Sequence, residues 1–425
     1  MEIKMKKLKL NINRKQGILL GINVLFLLAF LVLTAVANYQ IEKLYSQQAA
    51  KRWENKGESF TQVSAFFSPG RNVQMEEVKG IRNSLMQKLS EDSLFDKDSS
   101  GRVLVDAYSG ECEAQIRKDS NTLTVTAVGV GNDFFQFHPI PLLSGGYISG
   151  EDLNHDRVVL DENLAWAMFG SNDIVGMQIW MNNNVYVVAG VVAVDEDELY
   201  KTAYGTGNRM YMMYETLKEQ HEELKVTCYE AVMPNPISNY AFYALKSACG
   251  QNEMEETEEL KDAEKNPLNF DSCEVIENGN RFEKLVLLEK LAEVKYRSMR
   301  TNSIGYPYWE NIARVMADQQ MRLLIIRYIL LCFPIVSLLV WLYKLWKRRT
   351  WTVRGLLNLL FDRIRERQVE KEEEKKRLAE LTEEIEQSEE QLDDGEEQFF
   401  QSEDWENATE DEELSAVTPE DLFHS

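Results

Sequence analysis

The sequence is poor in the residues that carry most catalytic and metal chemistry. Four histidines (His138, His155, His221 and His424) are scattered along 425 residues. That spread leaves no histidine dyad for acid–base work and no multi-histidine metal site. Five cysteines contain no CxxC pair, which removes zinc ribbons and thioredoxin-like redox motifs. No GxxxxGK[ST] occurs, so the chain has no P-loop with which to hydrolyse a nucleotide. GxSxG and HExxH are also missing. Gly205-Thr206-Gly207 lacks the strand–helix setting of a dinucleotide fingerprint. A surplus of basic charge is missing too. The net charge is −23, which argues against a nucleic-acid partner, because phosphates need a basic face. The expectation is a chain that is not an enzyme and needs no cofactor or metal.

Three weaker candidates remain. Asp152-Leu153-Asn154-His155-Asp156 opens like a calcium loop, but Arg157 stands where glycine belongs and Asn163 where glutamate belongs. A polar turn before a strand is the simpler reading. Asp195-Glu196-Asp197-Glu198 reads as a solvated acidic turn. Phe134, Phe135 and Phe137 either form an exposed aromatic contact or, more simply, pack in a core.

What the sequence does have is segregation. Apolar residues make up 44% and charged residues 28%, enough for a packed core. Residues 17–37 (GILLGINVLFLLAFLVLTAVA) carry no charge. As a helix they extend about 31 Å, enough for the hydrocarbon of a bilayer. Residues 323–343 (LLIIRYILLCFPIVSLLVWLY) are as long and carry one charge, Arg327, expected to snorkel at the outer interface. Lys6, Lys7 and Lys9 precede the first run, and Lys344, Lys347, Arg348 and Arg349 follow the second. The positive-inside rule then puts both flanks in the cytoplasm and residues 38–322 outside the cell membrane. Ala35-Val36-Ala37 also satisfies the A-x-A pattern of a signal-peptidase site. The length of the apolar run and the helical character after it favour an uncleaved anchor.

Four cysteines, Cys112, Cys228, Cys249 and Cys273, fall in the outside portion, where disulfides are permitted and three pairings are open. Free buried thiols are the equal alternative.

Periodicity divides the rest. Residues 38–58 read as a polar stalk helix. Residues 59–67 read as a strand, and 74–90 as a helix with Val78, Ile81, Leu85 and Leu89 inward. Residues 102–109 and 121–130 are strand-like, and Val158–Leu160 make a short buried strand. Asp161 caps a helix that Gly170 ends. Residues 177–192 form a hairpin about Asn182-Asn183-Asn184. Met210–Tyr214 is another strand. Residues 250–266 are acidic and solvated. Phe282–Met299 is a helix with Leu285, Leu288, Leu291 and Ala292 on its packed face. A second stalk helix, 306–322, leads into the second apolar run. The fold class is α+β, with two membrane helices flanking a mixed extracytoplasmic domain at 59–305.

Beyond the basic segment 344–362 lies a charged helix, 363–392, too short in heptads for a firm coiled coil. Residues 366–425 hold 24 acids against five bases. Residues 393–425 are expected to be a disordered acidic tail.

With these residues in view, residues 128–192 resemble the periplasmic core domain of MacB-like, FtsX-type ABC transporter permeases. The ordered set is Val130, Phe134, Phe135 and Phe137, then Leu143, Gly146 and Ile148. Val158, Val159, Leu160, Glu162, Ala165, Phe169 and Gly170 follow, and Gly176, Ile179, Val187, Val188, Gly190, Val191 and Val192 close it. The resemblance implies structural, not catalytic, roles for these positions. It implies a periplasmic-core-like fold, ABC ATPase and permease subunits as partners, and oligomers formed through membrane and stalk helices. Family members usually have four membrane helices, three of them after the ectodomain. Here one follows, so the resemblance implies a half-permease-like subunit that couples an ATPase to the outside by mechanotransmission. The rival expectation is a membrane-anchored sensor or adaptor whose ectodomain binds an envelope ligand or protein.

Overall fold

The computed structural model describes residues 14–53, 59–94, 102–150, 152, 155–195, 197–205, 207–251, 272–293, 303–348, 361 and 364–377. The strands are β1 (Phe60–Phe67), β2 (Val105–Lys118), β3 (Asn121–Asn132), β4 (Leu142–Gly145), β5 (Arg157–Asp161), β6 (Gln178–Met181), β7 (Asn184–Val192), β8 (Arg209–Met213), β9 (Cys228–Pro234) and β10 (Cys273–Glu277). They form a ten-stranded sheet in the order β10-β1-β9-β2-β3-β8-β5-β7-β4, and β6 bridges β2 and β7. Pairing is antiparallel except for β3–β8 and β5–β7.

Both faces of the sheet are covered, and strand alternation divides the core in two. On the first face, Val63, Ala65 and Phe67 of β1, Tyr229 and Ala231 of β9, and Met210 and Met212 of β8 are buried. They pack under α3 (Met75–Glu91), α5 (Glu162–Phe169), α7 (Tyr214–Gln220) and α8 (Tyr240–Ala248). On the second face, Phe66, Cys228, Val232, Tyr211 and Met213 meet α2 (Ala49–Trp53), α4 (Phe134–Phe137), α6 (Glu198–Tyr204) and the start of α10 (Tyr308–Arg348). The remaining helices are α1 (Arg14–Glu42) and α9 (Lys284–Glu293).

Local chemistry fixes several joints. Asp161 accepts the Leu164 amide at 2.7 Å and starts α5; Gly170 closes it at φ +69°. Asn182 and Asn183, at φ +47° and +67°, make the two-residue turn between β6 and β7, the positive-φ geometry that matches strand twist. α3 buries Val78, Ile81, Leu85 and Leu89.

Two helices, α1 and α10, are long and apolar enough to cross a membrane. They run side by side. Asn23 Nδ2 donates to Ser337 Oγ at 2.9 Å, Phe26 and Phe333 stack at 5.0 Å, and Gln320 Nε2 donates to Gln40 Oε1 at 3.0 Å. Pro334 lies within α10 without ending it. The unit that begins at Leu339 holds the last turns of α10 and, among its described residues, helical residues 364–377.

The structure corrects three expectations. The stalk after α1 is not one helix. α1 stops at Glu42, a 3-10 turn spans Tyr45–Gln47, and α2 restarts at Ala49. Buried Leu44 and Gln47 pull the chain onto the sheet there, which a straight polar helix would not allow. On α9 the inward residue is Leu287, while Leu285, Leu288 and Leu291 are exposed. Arg327 is buried rather than extended outward. Of the two readings left open for the cysteines, the structure has the free thiols. Cys228 faces the second core, whereas Cys249 and Cys273 lie in the first, so the sheet stands between Cys228 and the other two.

The sequence expectations at Lys6, Lys7, Lys9, Arg349, the acidic segment 252–266, the end of the helix after Glu293 and the acidic tail lie outside the described residues. Lys347 is exposed at the end of α10.

One close approach yields a test. A Cβ on Gly190 would come within 2.4 Å of the Gly146 carbonyl oxygen, whereas a Cβ on Gly146 meets nothing within 4 Å. Gly190→Ala is expected to lower unfolding stability by about 1–3 kcal/mol, as overpacking against backbone does. Gly146→Ala should change it by no more than about 0.5 kcal/mol. Denaturant melts of the two purified variants check the contrast.

Candidate coupling site at the helix roots

Among the described residues, a dense polar cluster lies where the two long helices meet the sheet. It begins in strands that read as apolar. β1 carries Gln62 and Ser64, and β9 carries Glu230; all three are buried. A buried polar group must find partners or cost stability, so these residues define where other segments dock. Gln62 accepts the Ala49 amide at 2.9 Å and donates to the Ser46 carbonyl at 2.8 Å. That seats the turn following α1. Glu230 Oε1 receives the Ser64 hydroxyl at 3.1 Å, and Oε2 lies 2.5 Å from His138 Nε2 at the end of α4.

The cluster continues to α10. Arg281 grips Glu310 through two contacts, Nη1–Oε2 at 2.7 Å and Nη2–Oε1 at 2.8 Å. Both side chains are almost fully buried, at 2% and 0% exposure. Arg314 Nε adds a third contact to Glu310 at 2.7 Å, and its Nη2 reaches Glu274 on β10 at 2.7 Å. The Arg314 guanidinium lies 3.7 Å from the Tyr306 ring centroid. Burial disfavours charge on Arg314, but Glu274 and Glu310 outweigh it and hold its pKa above the ordinary arginine value. Gln47 joins the halves. Its Oε1 accepts from Asn278 Nδ2 at 2.8 Å and from Arg281 Nη1 at 3.3 Å. A continuous chain of polar contacts thus ties the turn after α1, strands β1, β9 and β10, and the first turn of α10.

Beside it lies a cavity of about 190 Å³, walled by Leu44, His138, Tyr204, Tyr211, Tyr308 and Trp309 among others. Aromatic packing holds its walls. Trp309 sits 4.3 Å from His138 and 5.6 Å from Phe134 between ring centroids. Arg209 lies over the rings of Tyr204 and Tyr308, at 3.8 and 4.8 Å. Asp161 accepts the Tyr204 hydroxyl at 2.8 Å and the Arg209 amide at 2.7 Å, which fixes Tyr204 in the wall. Burial nevertheless holds its carboxyl above the usual range. Burial, with Glu111 alongside, pushes the Cys112 thiol up to about 11, too high for a reactive thiolate at neutral pH.

The residues singled out from the sequence are spread around this site, and some enter it. Phe134 and Phe137 are buried in the second core, and Phe135 stacks on Tyr147 at 4.5 Å, so the cluster packs inward. Val130 lies in the same core. Val158, Leu160 and Ala165 sit in the first core, with Phe169 packed against it and Lys118 over its ring. Glu162 opens α5 and accepts from Asn172. Leu143 is exposed on β4. Gly146 and Gly190 meet across the β4–β7 end, and Gly176 takes φ +83°. No group of three or more metal-ligating residues exists among the described residues, Asp152, His155 and Asp156 included. Gln47, Gln62, Glu230, Arg281 and Glu310 were not singled out from the sequence. The available signal was a single polar residue inside an apolar strand, as in FTQVSAFF and CYEAVMP.

Comparison with known proteins places this architecture. Residues 18–240 match the MacB-like periplasmic core domain family. The chain belongs to that family. The macrolide export ATP-binding/permease protein MacB of Chromobacterium violaceum is 30% identical over 154 residues, which are 34% of this chain and 23% of that protein. The chain therefore spans under a quarter of that relative's length. Among solved structures, the periplasmic region of MacB from Actinobacillus actinomycetemcomitans aligns with 55% of this chain and 92% of its own, at 15% identity and a TM-score of 0.34. The extracellular domain of the noncanonic ABC-type transporter YknZ from Gram-positive bacteria covers 45% of this chain and 96% of its own, at 14% identity and a TM-score of 0.31.

Two outcomes test the energetics. Arg281→Met leaves the Glu310 charge buried beside a single remaining guanidinium and is expected to cost about 3–5 kcal/mol. Arg281→Met with Glu310→Met should recover a large part of that loss, read from denaturant melts as a double-mutant cycle. Burial also raises the Glu111 carboxyl, with Arg209 opposing it. A folded-state pKa above the unfolded one means that ionisation destabilises the fold, increasingly as pH climbs past the ordinary carboxylate value. Glu111→Gln should therefore be more stable than the parent at pH 7, with the gap closing toward pH 4.

Proposed function

We propose that the chain is a non-catalytic membrane subunit of an ABC-type export or cell-envelope complex. It spans the cell membrane twice, with both flanks of the two apolar helices cytoplasmic and residues 38–322 outside. A separate cytoplasmic ATPase supplies the work, and permease subunits are further partners. The observation that carries this reading is the Arg281–Glu310 pair with its Gln47 link, which fastens the roots of α1 and α10 to one rigid sheet. A tilt of either helix cannot be absorbed by a loose linker there, because buried charge would be exposed unpaired. The tilt passes instead into strands β1, β9 and β10. Family membership and the ATP-binding/permease relative support the ATPase as the source of that motion.

The cavity supports a second reading, a membrane-anchored sensor or adaptor. Its walls come from both helix roots, so an occupant would alter how they sit on the sheet. Saturable thermal stabilisation of the full chain by an envelope ligand is the result that reading requires.

The deciding experiment is mild-detergent purification of the tagged full chain followed by mass spectrometry. The transporter reading expects an ABC ATPase at near-stoichiometric yield, and ATP turnover in that complex that changes with Arg281→Met. Recovery of the chain alone or with receptor-like proteins overturns it.

A further inference from the structure

The sequence places three leucines of α9 on a packed face, and the structure leaves them open. Leu285 is 73% exposed, Leu288 37% and Leu291 39%, while Leu287 is 2% exposed. At 100° per residue Leu287, Leu291, Leu288, Ala292 and Leu285 share one side of the helix, with Lys284 of the first turn among them. Glu289 and the half-buried Val286 and Lys290 lie on the other side. Only one edge of this apolar arc is used for packing. Soluble surfaces rarely leave a contiguous stripe of large apolar side chains unoccupied.

The position of that edge identifies what covers the rest. Leu287 packs against Ala317, Met321 and Leu324 of α10. Leu324 is the second residue of the apolar run 323–343. The outer limit of the membrane-crossing run is marked independently by α1, whose apolar run ends at Ala37. The two limits coincide, since Gln320 Nε2 lies 3.4 Å from the Ala37 carbonyl and bonds Gln40. α9 is thus held level with the outer end of the hydrocarbon, with its apolar arc turned away from the protein. Lys284 on the same side is exposed and long enough to carry its charge outward along the arc.

We propose that α9 is an interfacial membrane helix, whose Leu285, Leu288 and Leu291 insert between the lipids of the outer leaflet. This rests on the reading that α1 and α10 span the bilayer. Short amphipathic helices bind in this way when their apolar face reaches the headgroup–acyl boundary. Here the packing of Leu287 on α10 supplies the proximity that so short a helix could not secure alone. A docking face for another protein's membrane helix is the competing occupant. The bilayer is favoured because Leu287, at the edge of the stripe, packs beside Leu324 at the start of the apolar run, and because Lys284 is placed to snorkel.

The test uses the full chain in liposomes of zwitterionic and anionic phospholipid. Nitroxide labels are attached at Leu285→Cys, Leu288→Cys and Glu289→Cys in a chain with Cys112→Ser and Cys332→Ser. A label on native Cys332, exposed within the apolar run, is the hydrocarbon reference. Collision with oxygen, which concentrates in lipid, is compared with collision with a water-soluble nickel chelate. Labels at 285 and 288 should show an oxygen-to-nickel ratio severalfold above that at 289 and approaching that at 332. Nickel-accessible labels at 285 and 288 beside an oxygen-accessible 332 overturn the proposal and leave the spanning reading intact. A nickel-accessible 332 overturns both. Labels at 285 and 288 shielded from both reagents overturn it in favour of a protein partner.

Discussion

Everything at the base of the sheet domain depends on pairing one carboxylate that is held out of water. Glu310 has no exposed surface and is held by two guanidinium groups from different parts of the chain. An ion so placed loses its hydration, and only near-ideal geometry offsets that loss. The first turn of α10 therefore has one permitted position on the sheet, set by Arg281 and Arg314. Because Arg281 also reaches Gln47, that position governs the end of α1 as well. Such a pair adds little net stability over an apolar contact of equal volume. What it gives is a single register.

The two faces of the sheet then have different duties. The first face holds the larger buried apolar cluster and is capped by helices of the domain itself. The second is built from aromatic rings and hydrogen-bonded polar groups, and its cover includes the beginnings of the long helices. Tyr308 and Trp309 of α10 pack directly on Phe134, Tyr204 and His138, residues of α4, α6 and the loop after α4. A core of this kind is close-packed and transmits displacement instead of absorbing it. The family-typical segment and the helix roots thus share one packed core.

Much of this was legible beforehand, and the limits have physical causes. The hairpin about Asn182-Asn183, the capped helix from Glu162 to Phe169 and the inward row of α3 are local, so turn chemistry and period suffice to read them. β9 and α8 were not resolved from the sequence. β9 is buried along its whole length, so it shows no alternation, and it includes Glu230, which looks foreign to a core strand. The break after α1 was missed because nothing in Lys43–Gln48 forbids a helix; the sheet's demand for Leu44 and Gln47 ends it. The polar cluster at the helix roots was invisible for the same reason. Gln47, Gln62, Glu230, Arg281 and Glu310 converge only through tertiary pairing, and no spacing rule links them. The reversed face of α9 shows that period identifies an apolar stripe but not its solvent.

The position of β1 in the sheet has a consequence for how the chain reaches its native state. β1 lies between β9 and β10, and Gln62 bonds Glu230 across 168 residues of sequence. Its neighbours on both sides are thus made long after it. Made in order from its N-terminus, the chain holds an apolar, unpaired strand while β2 to β8 are still being added. Closing loops of that length is entropically slow, and open strand edges invite wrong pairing in the interval. The domain cannot mature piecemeal as it emerges. Its assembly waits for the last strand, so the sheet is completed in the same late event that fastens the second long helix to it.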